Sequence, residues 1–167
     1  QGNEHLRGYG FDDVQNQVAS IAGGRDVQKS QLIGPLFVVT GCDLNRVAGV
    51  EVDGITLSVE QHRVASERAA AAGVADRVRF HLRDYRDQHG RYDRVVSVGM
   101  FEHVGTPHYR TFLDKVRTLL AEDGVALLHS IGQSNSRGSI NPWIRKYIFP
   151  GSYTPALLET RDRMLDL

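Results

Sequence analysis

Residues 92–105 constrain this chain more than any other stretch. They run Tyr92–Asp93–Arg94–Val95–Val96–Ser97–Val98, then Gly99–Met100, then Phe101–Glu102–His103–Val104–Gly105. Val95, Val96 and Val98 are β-branched and apolar, as a central strand of a parallel sheet requires. Gly99 lets the backbone leave the sheet, and Phe101–Glu102–His103 opens the next element. Residues 124–132 form a second such strand, which ends in His129. Ligands of open α/β sheets bind outside the carboxyl ends of the strands. Two strands that each deliver a titratable group to that edge mark a site.

From Val50 onward, strand and helix signals alternate, which is the mark of a parallel α/β sheet. Residues 50–57 read as a strand, with Ser58 as helix cap and Gln61 completing a capping box. The helix runs to a stop at Gly73. Residues 77–82 are the next strand and 84–87 its exit loop. Pro107 suits the first turn of a helix reaching about Leu120, with Phe112, Val116, Leu119 and Leu120 on one face. Asp123–Gly124 turns into the His129 strand. Residues 134–139 form a polar loop, Asn141 caps a short helix from Pro142, and residues 155–165 read as another helix.

The 167 residues suit a single core, and their net charge of zero implies no nucleic-acid partner. The one cysteine, Cys42, cannot form an internal disulfide, which suits a reducing, cytoplasmic compartment. No apolar run approaches membrane-spanning length, and no signal peptide shape opens the chain.

Four blocks, in order, resemble the cyclopropane-fatty-acyl-phospholipid synthase family, which includes the mycolic acid cyclopropane synthases. They are residues 54–61 (Gly-Ile-Thr-Leu-Ser-Val-Glu-Gln), residues 92–105, residues 127–132 (Leu-Leu-His-Ser-Ile-Gly) and residues 141–151 (Asn-Pro-Trp-Ile-Arg-Lys-Tyr-Ile-Phe-Pro-Gly). The resemblance covers roughly residues 47 to 160. It implies a partial Rossmann-like methyltransferase sheet, α/β and mostly parallel with flanking helices. It also implies transfer of a one-carbon group from S-adenosylmethionine to the cis double bond of phospholipid acyl chains, at peripheral contact with the inner face of a membrane. The alkene attacks the sulfonium methyl, and the resulting carbocation loses a proton to a base, a role open to bound bicarbonate. By the same resemblance Glu102, His129 and the backbone near Ile131 hold that bicarbonate. Thr56, Leu57 and Gln61 contact the cofactor, Asp84 and Tyr85 flank its adenine, and Gly41 opens the glycine turn. No residue is assigned to a metal.

Each assignment has a plainer competitor. Glu102 also reads as an acid favouring a helix start, and Ser58 with Gln61 as a cap alone. Asp84 and Tyr85 also fit a solvated loop. His103 is read as a packing residue. Trp143, Arg145, Lys146 and Tyr147 suit either a lipid interface near the acyl entrance or a plain helix with a basic face. Cys42 resembles a glycine-turn residue rather than a nucleophile.

The first forty-nine residues fit the resemblance poorly. Residues 36–40 are the expected first strand, and Gly41–Cys42 the start of the glycine turn. The span from Thr40 to Val50 is then too short for a crossover helix. The expectation is a segment of unassigned fold over residues 1–35, with a helical spacing at 11–21. A truncated methyltransferase-like domain over 36–167, lacking its first helix, would follow. Such a domain binds cofactor weakly and self-associates, with a homodimer as the simplest outcome. A catalytically weakened remnant that binds lipid or anion is therefore the alternative to an active enzyme, and a methyltransferase with a smaller substrate is a third reading.

Overall fold

The computed structural model describes residues 29–33, 37–133, 142–147, 153–156 and 160–162, with side chains from residue 41 onward in the first helix. Five strands form one parallel sheet: β1 (Lys29–Ile33), β2 (Glu51–Thr56), β3 (Val78–Leu82), β4 (Tyr92–Val98) and β5 (Leu120–His129). Their order is β3-β2-β1-β4-β5, so the chain reverses its direction of winding between β1 and β4. That is a Rossmann-like topology, and its switch point lies over the carboxyl ends of β1 and β4.

The helices are α1 (Phe37–Ala48), α2 (Val59–Ala71), α3 (Phe101–Val104), α4 (Tyr109–Leu119) and α5 (Pro142–Tyr147). Short 3₁₀ turns occupy Tyr85–Asp87 and Thr106–His108. On one face of the sheet Leu44 of α1 and Ala65 and Ala69 of α2 pack against Val52, Val78, Val96 and Val98. On the other face Phe112 and Leu113 of α4 pack with Phe101 and Tyr109, and Leu119 packs with Ile55, Tyr92 and Val95.

The beginning of the domain differs from the sequence expectation. The first strand is Lys29–Ile33, not residues 36–40, and it lies before the boundary expected at residue 36. Residues 37–40 start a twelve-residue helix, so the first crossover is present rather than deleted. The β-branched run Val38–Val39 suggested a strand, but the tertiary pattern overrides it. Gly41, Leu44 and Asn45 are buried and Ala48 half-buried, an i, i+3, i+4, i+7 stripe that only a helix presents to one core. Gly41 and Cys42 therefore lie inside α1 and take no part in a turn after β1. Burial raises the Cys42 thiol pKa, in keeping with a packing residue. α1 ends at Gly49, whose φ of 67° is left-handed and whose amide bonds Asn45 O at 2.8 Å. The true β1–α1 connection, residues 34–36, lies outside the described residues. So do the helix expected at 11–21, the loop at 134–139 and Asn141.

The elements expected between residues 50 and 120 match closely. The helix expected over 155–165 does not begin at Pro155: Ala156 bridges Gln133, and residues 160–162 are helical, while residues 157–159 and 163–165 lie outside the described residues. Ser58 caps α2 by accepting from Gln61 N at 3.3 Å. β5 begins earlier than expected, at Leu120, and Asp123–Gly124 sits in an irregular stretch where the register with β4 slips.

Candidate active site

Gly99 starts the site. Its φ of 65° turns the chain out of β4, and its amide donates to His129 O at 3.2 Å. The ends of β4 and β5 are thereby tied, in register with the Val98–His129 pair. Two residues past the turn, Phe101 is fully buried among Tyr109 and Phe112, with ring centroids 4.1 and 5.5 Å away. That anchor fixes α3 and carries Glu102 inward, to 7% exposure.

Glu102 holds three segments together. Its Oε1 accepts from Ile131 N at 2.6 Å, and its backbone oxygen accepts from Tyr153 N at 2.9 Å. A further bond, Gln133 N to Pro155 O at 2.9 Å, seats residues 153–156 beside the exit of β5. The second carboxylate oxygen, Oε2, is buried with no hydrogen-bond partner among the described residues, and so is His129 Nδ1. These are two of the buried polar atoms without such a partner, and they stand at adjoining strand ends. Glu102 and His129 do not bond each other; the contact between their segments is made through Ile131. His103 is exposed and stands outside this cluster.

A second group lies at the end of β2. The Thr56 hydroxyl donates to Gln61 Oε1 at 2.8 Å and accepts from Ser58 N at 3.0 Å. Leu57 and Val59 stand exposed beside them. Beyond β3, Asp84 accepts from Arg86 N at 2.9 Å and takes the Arg86 guanidinium on both oxygens, at 2.9 and 2.7 Å. The guanidinium lowers the carboxyl pKa. Tyr85 packs its ring edge-on to Phe112, centroids 5.3 Å apart, and burial raises its hydroxyl pKa. Asp84 and Tyr85 are thus neighbours at the carboxyl edge, as expected, but each already has protein partners.

Trp143 and Tyr147 project from α5 at 59% and 60% exposure with their rings 5.8 Å apart. The Lys146 ammonium lies 5.0 Å from the Tyr147 ring centre. Sequence reasoning missed the Thr56–Gln61 bond and the reach of Tyr153 to Glu102. The first has a local signal, two polar groups five residues apart across a strand–helix junction, whereas the second is long-range and has none.

Residues 43–166 match the model of the mycolic acid cyclopropane synthetase family. The cyclopropane-fatty-acyl-phospholipid synthase of Escherichia coli K12 is 44% identical over 108 residues, which cover 65% of this chain and 27% of that protein. The chain thus spans about a quarter of that curated relative. The mycolic acid cyclopropane synthase CmaA1, solved with SAH and CTAB, superposes with a TM-score of 0.74 at 25% identity, over 90% of this chain and 58% of that one. The cyclopropane synthase MmaA2 of Mycobacterium tuberculosis shares the fold with a TM-score of 0.77 at 22% identity, over 97% of this chain and 63% of that one.

Proposed function

The chain belongs to the mycolic acid cyclopropane synthetase family, and we propose that it is the catalytic portion of an S-adenosylmethionine-dependent methyltransferase acting on cis double bonds of phospholipid acyl chains. The observation that carries the reading is the pair of buried atoms without a partner among the described residues, Glu102 Oε2 and His129 Nδ1, beside the Ile131 amide. Their chemistry fits a small oxyanion that can also donate a proton. Bicarbonate is such a group: its hydroxyl would serve Glu102 Oε2, an oxygen would accept from the imidazole, and it would supply a base at the reacting carbon. Two carboxylate-like anions in contact repel strongly in a low-dielectric pocket, so the shared proton is required.

S-adenosylmethionine, when bound, supplies an electrophilic methyl group. We assign its contacts to Thr56, Leu57 and Gln61 at the end of β2, with Asp84 and Tyr85 at the end of β3. Gly41 is withdrawn from that set, because it packs inside α1. The remnant reading rested on a missing first helix, and α1 removes that ground. No helix among the described residues is long and apolar enough to cross a membrane. Access to lipid is therefore assigned to peripheral contact through α5, whose exposed Trp143 and Tyr147 suit the headgroup region and whose Lys146 suits phosphate.

Two measurements test the reading. Calorimetric titration with S-adenosylmethionine should show saturable binding. Incubation of the chain with the cofactor, bicarbonate and vesicles of cis-unsaturated phosphatidylethanolamine should add one methylene to the acyl chains by mass spectrometry. Absence of cofactor binding overturns the reading; binding without lipid modification overturns the substrate assignment.

A further inference from the structure

Four side chains from β2, β4 and the connection between β3 and β4 form a hydrogen-bonded chain with a fixed direction. The Arg83 guanidinium donates to Gln88 Oε1 at 3.0 Å, Gln88 Nε2 donates to the Tyr92 hydroxyl at 2.6 Å, and that hydroxyl donates to Asp53 Oδ2 at 3.1 Å. Arginine only donates and a carboxylate only accepts, so chemistry sets both ends. The Gln88 amide must turn its oxygen to Arg83 and its NH₂ to Tyr92. The one phenolic proton is left for Asp53, with His89 O a second, longer acceptor at 3.3 Å. Gln88 is 2% exposed and Tyr92 3%. Breaking the chain at either residue leaves a buried polar group unpaired.

The chain bears on the turn after β3. That turn, Tyr85–Asp87, is closed by two local amide bonds, Asp87 N to Asp84 O at 3.0 Å and Gln88 N to Tyr85 O at 3.2 Å. The Asp84 carboxylate is occupied inside the turn by Arg86, and Arg86, Asp87, His89 and Gly90 are exposed. The turn is fastened to the body of the domain at Tyr85, whose ring meets Phe112, and at Gln88, whose amide meets Tyr92. Two such points fix it where one would let it pivot.

We propose that Gln88 is a positioning residue, which through Tyr92 holds the Asp84–Tyr85 turn in the pose that receives the adenosyl end of the cofactor. The proposal rests on the cofactor reading above and goes beyond it, because Gln88 is buried and acts through the turn. The hydrogen-bonded chain is complete without ligand, so the turn is ordered before the cofactor arrives.

Two readouts test it: amide hydrogen exchange of the ligand-free chain, and calorimetric titration with S-adenosylhomocysteine and with adenosine. Gln88→Leu keeps the size of the side chain and removes both polar ends. It should speed exchange of the Asp87 and Gln88-position amides roughly tenfold, with those of Gly99 and Ile131 unchanged. It should also weaken both ligands by the same factor, roughly three- to tenfold. Tyr92→Phe should do the same. The double variant Gln88→Leu/Tyr92→Phe should lose no more than either single variant, since all three break one bond. Additive losses overturn the proposal. Wild-type affinity in Gln88→Leu overturns it too, whatever the melting temperature, because Gln88 would then serve the fold alone. If the wild-type chain binds neither ligand, the cofactor reading fails and the proposal with it, and that result is distinct because it appears before any variant is compared.

Discussion

The carboxylate of Glu102 accepts a 2.6 Å hydrogen bond from the backbone amide of Ile131. The two residues come from successive strand exits, β4 and β5, and this bond is what makes one site of two loops. It satisfies one oxygen of a buried carboxylate, while the other has no hydrogen-bond partner among the described residues. The arrangement stabilises the loop only partly, as expected where a group is held ready for a ligand.

Glu102→Gln and Glu102→Ala should separate these two roles. Glutamine keeps an oxygen for the Ile131 amide, so stability should change by less than about 1 kcal/mol in urea denaturation. Alanine leaves the amide unpaired and should cost about 1–2 kcal/mol. Both should abolish lipid methylation, and both should alter bicarbonate affinity. Retention of activity by Glu102→Gln would remove the carboxylate from the mechanism.

Gly99→Ala should destabilise the fold by about 1–2 kcal/mol, because a φ of 65° is left-handed and penalises any Cβ. The same change should loosen the Gly99 to His129 backbone bond and lower activity beyond the stability loss. A midpoint of urea denaturation equal to wild type would show that the turn accommodates a side chain.

Tyr92 supplies a pH dependence. Its hydroxyl donates to Asp53 and accepts from Gln88 Nε2 at 2.6 Å, and burial together with the Asp53 charge pushes its pKa up to about 12. A phenol that ionises later in the folded state binds its proton more tightly there than in the unfolded chain. Its stabilising contribution is therefore complete below the ordinary value of 10.0 and is lost as pH rises toward about 12. The stability difference between wild type and Tyr92→Phe should fall by roughly 2–3 kcal/mol across that window. A difference that stays constant would mean the shift is absent.

The chain should self-associate through β5. Its first crossover is intact, so the case rests on the edge: among the described residues, the ten-residue strand Leu120–His129 pairs only with β4. Val125 is 44% exposed on it, and beside it lies an apolar cavity of about 300 Å³ lined by residues that include Val95, Phe112, Val116 and Leu128. Unpaired edges of this kind recruit other strands. Light scattering should report a mass that rises with concentration, and Val125→Lys should suppress the rise. A monomer at every concentration would refute it.

The middle of the molecule was legible from its sequence, and the beginning was not. Val95, Val96 and Val98 announce a buried strand, Ser58 and Gln61 a cap, and Gly73 a stop, because each carries its signal within a few residues. Lys29–Ile33 has two apolar residues in five and sits in the sheet through its neighbours β2 and β4, which no local window contains. Phe37–Val39 carry strand propensity and form helix, because the stripe beginning at Gly41 packs on Val52 and Val96. The resemblance located Glu102 and Ile131 without showing that they touch. Tyr85 illustrates the converse: an aromatic residue in an exit loop reads equally as a ligand platform or as core, and here its ring meets Phe112.

The bond from Tyr153 to Glu102, about fifty positions apart in the chain, has a kinetic meaning. A site closed by contacts that are local in sequence can fray by itself. This one is fastened to two parallel strand ends and to a segment that arrives after both. Each of its amides is bonded to a different element, so their protection depends on those elements staying docked. The backbone protons of Gly99, Ile131 and Tyr153 should therefore exchange as a single slow group, and a protease cut between α5 and Tyr153 should release all three at once.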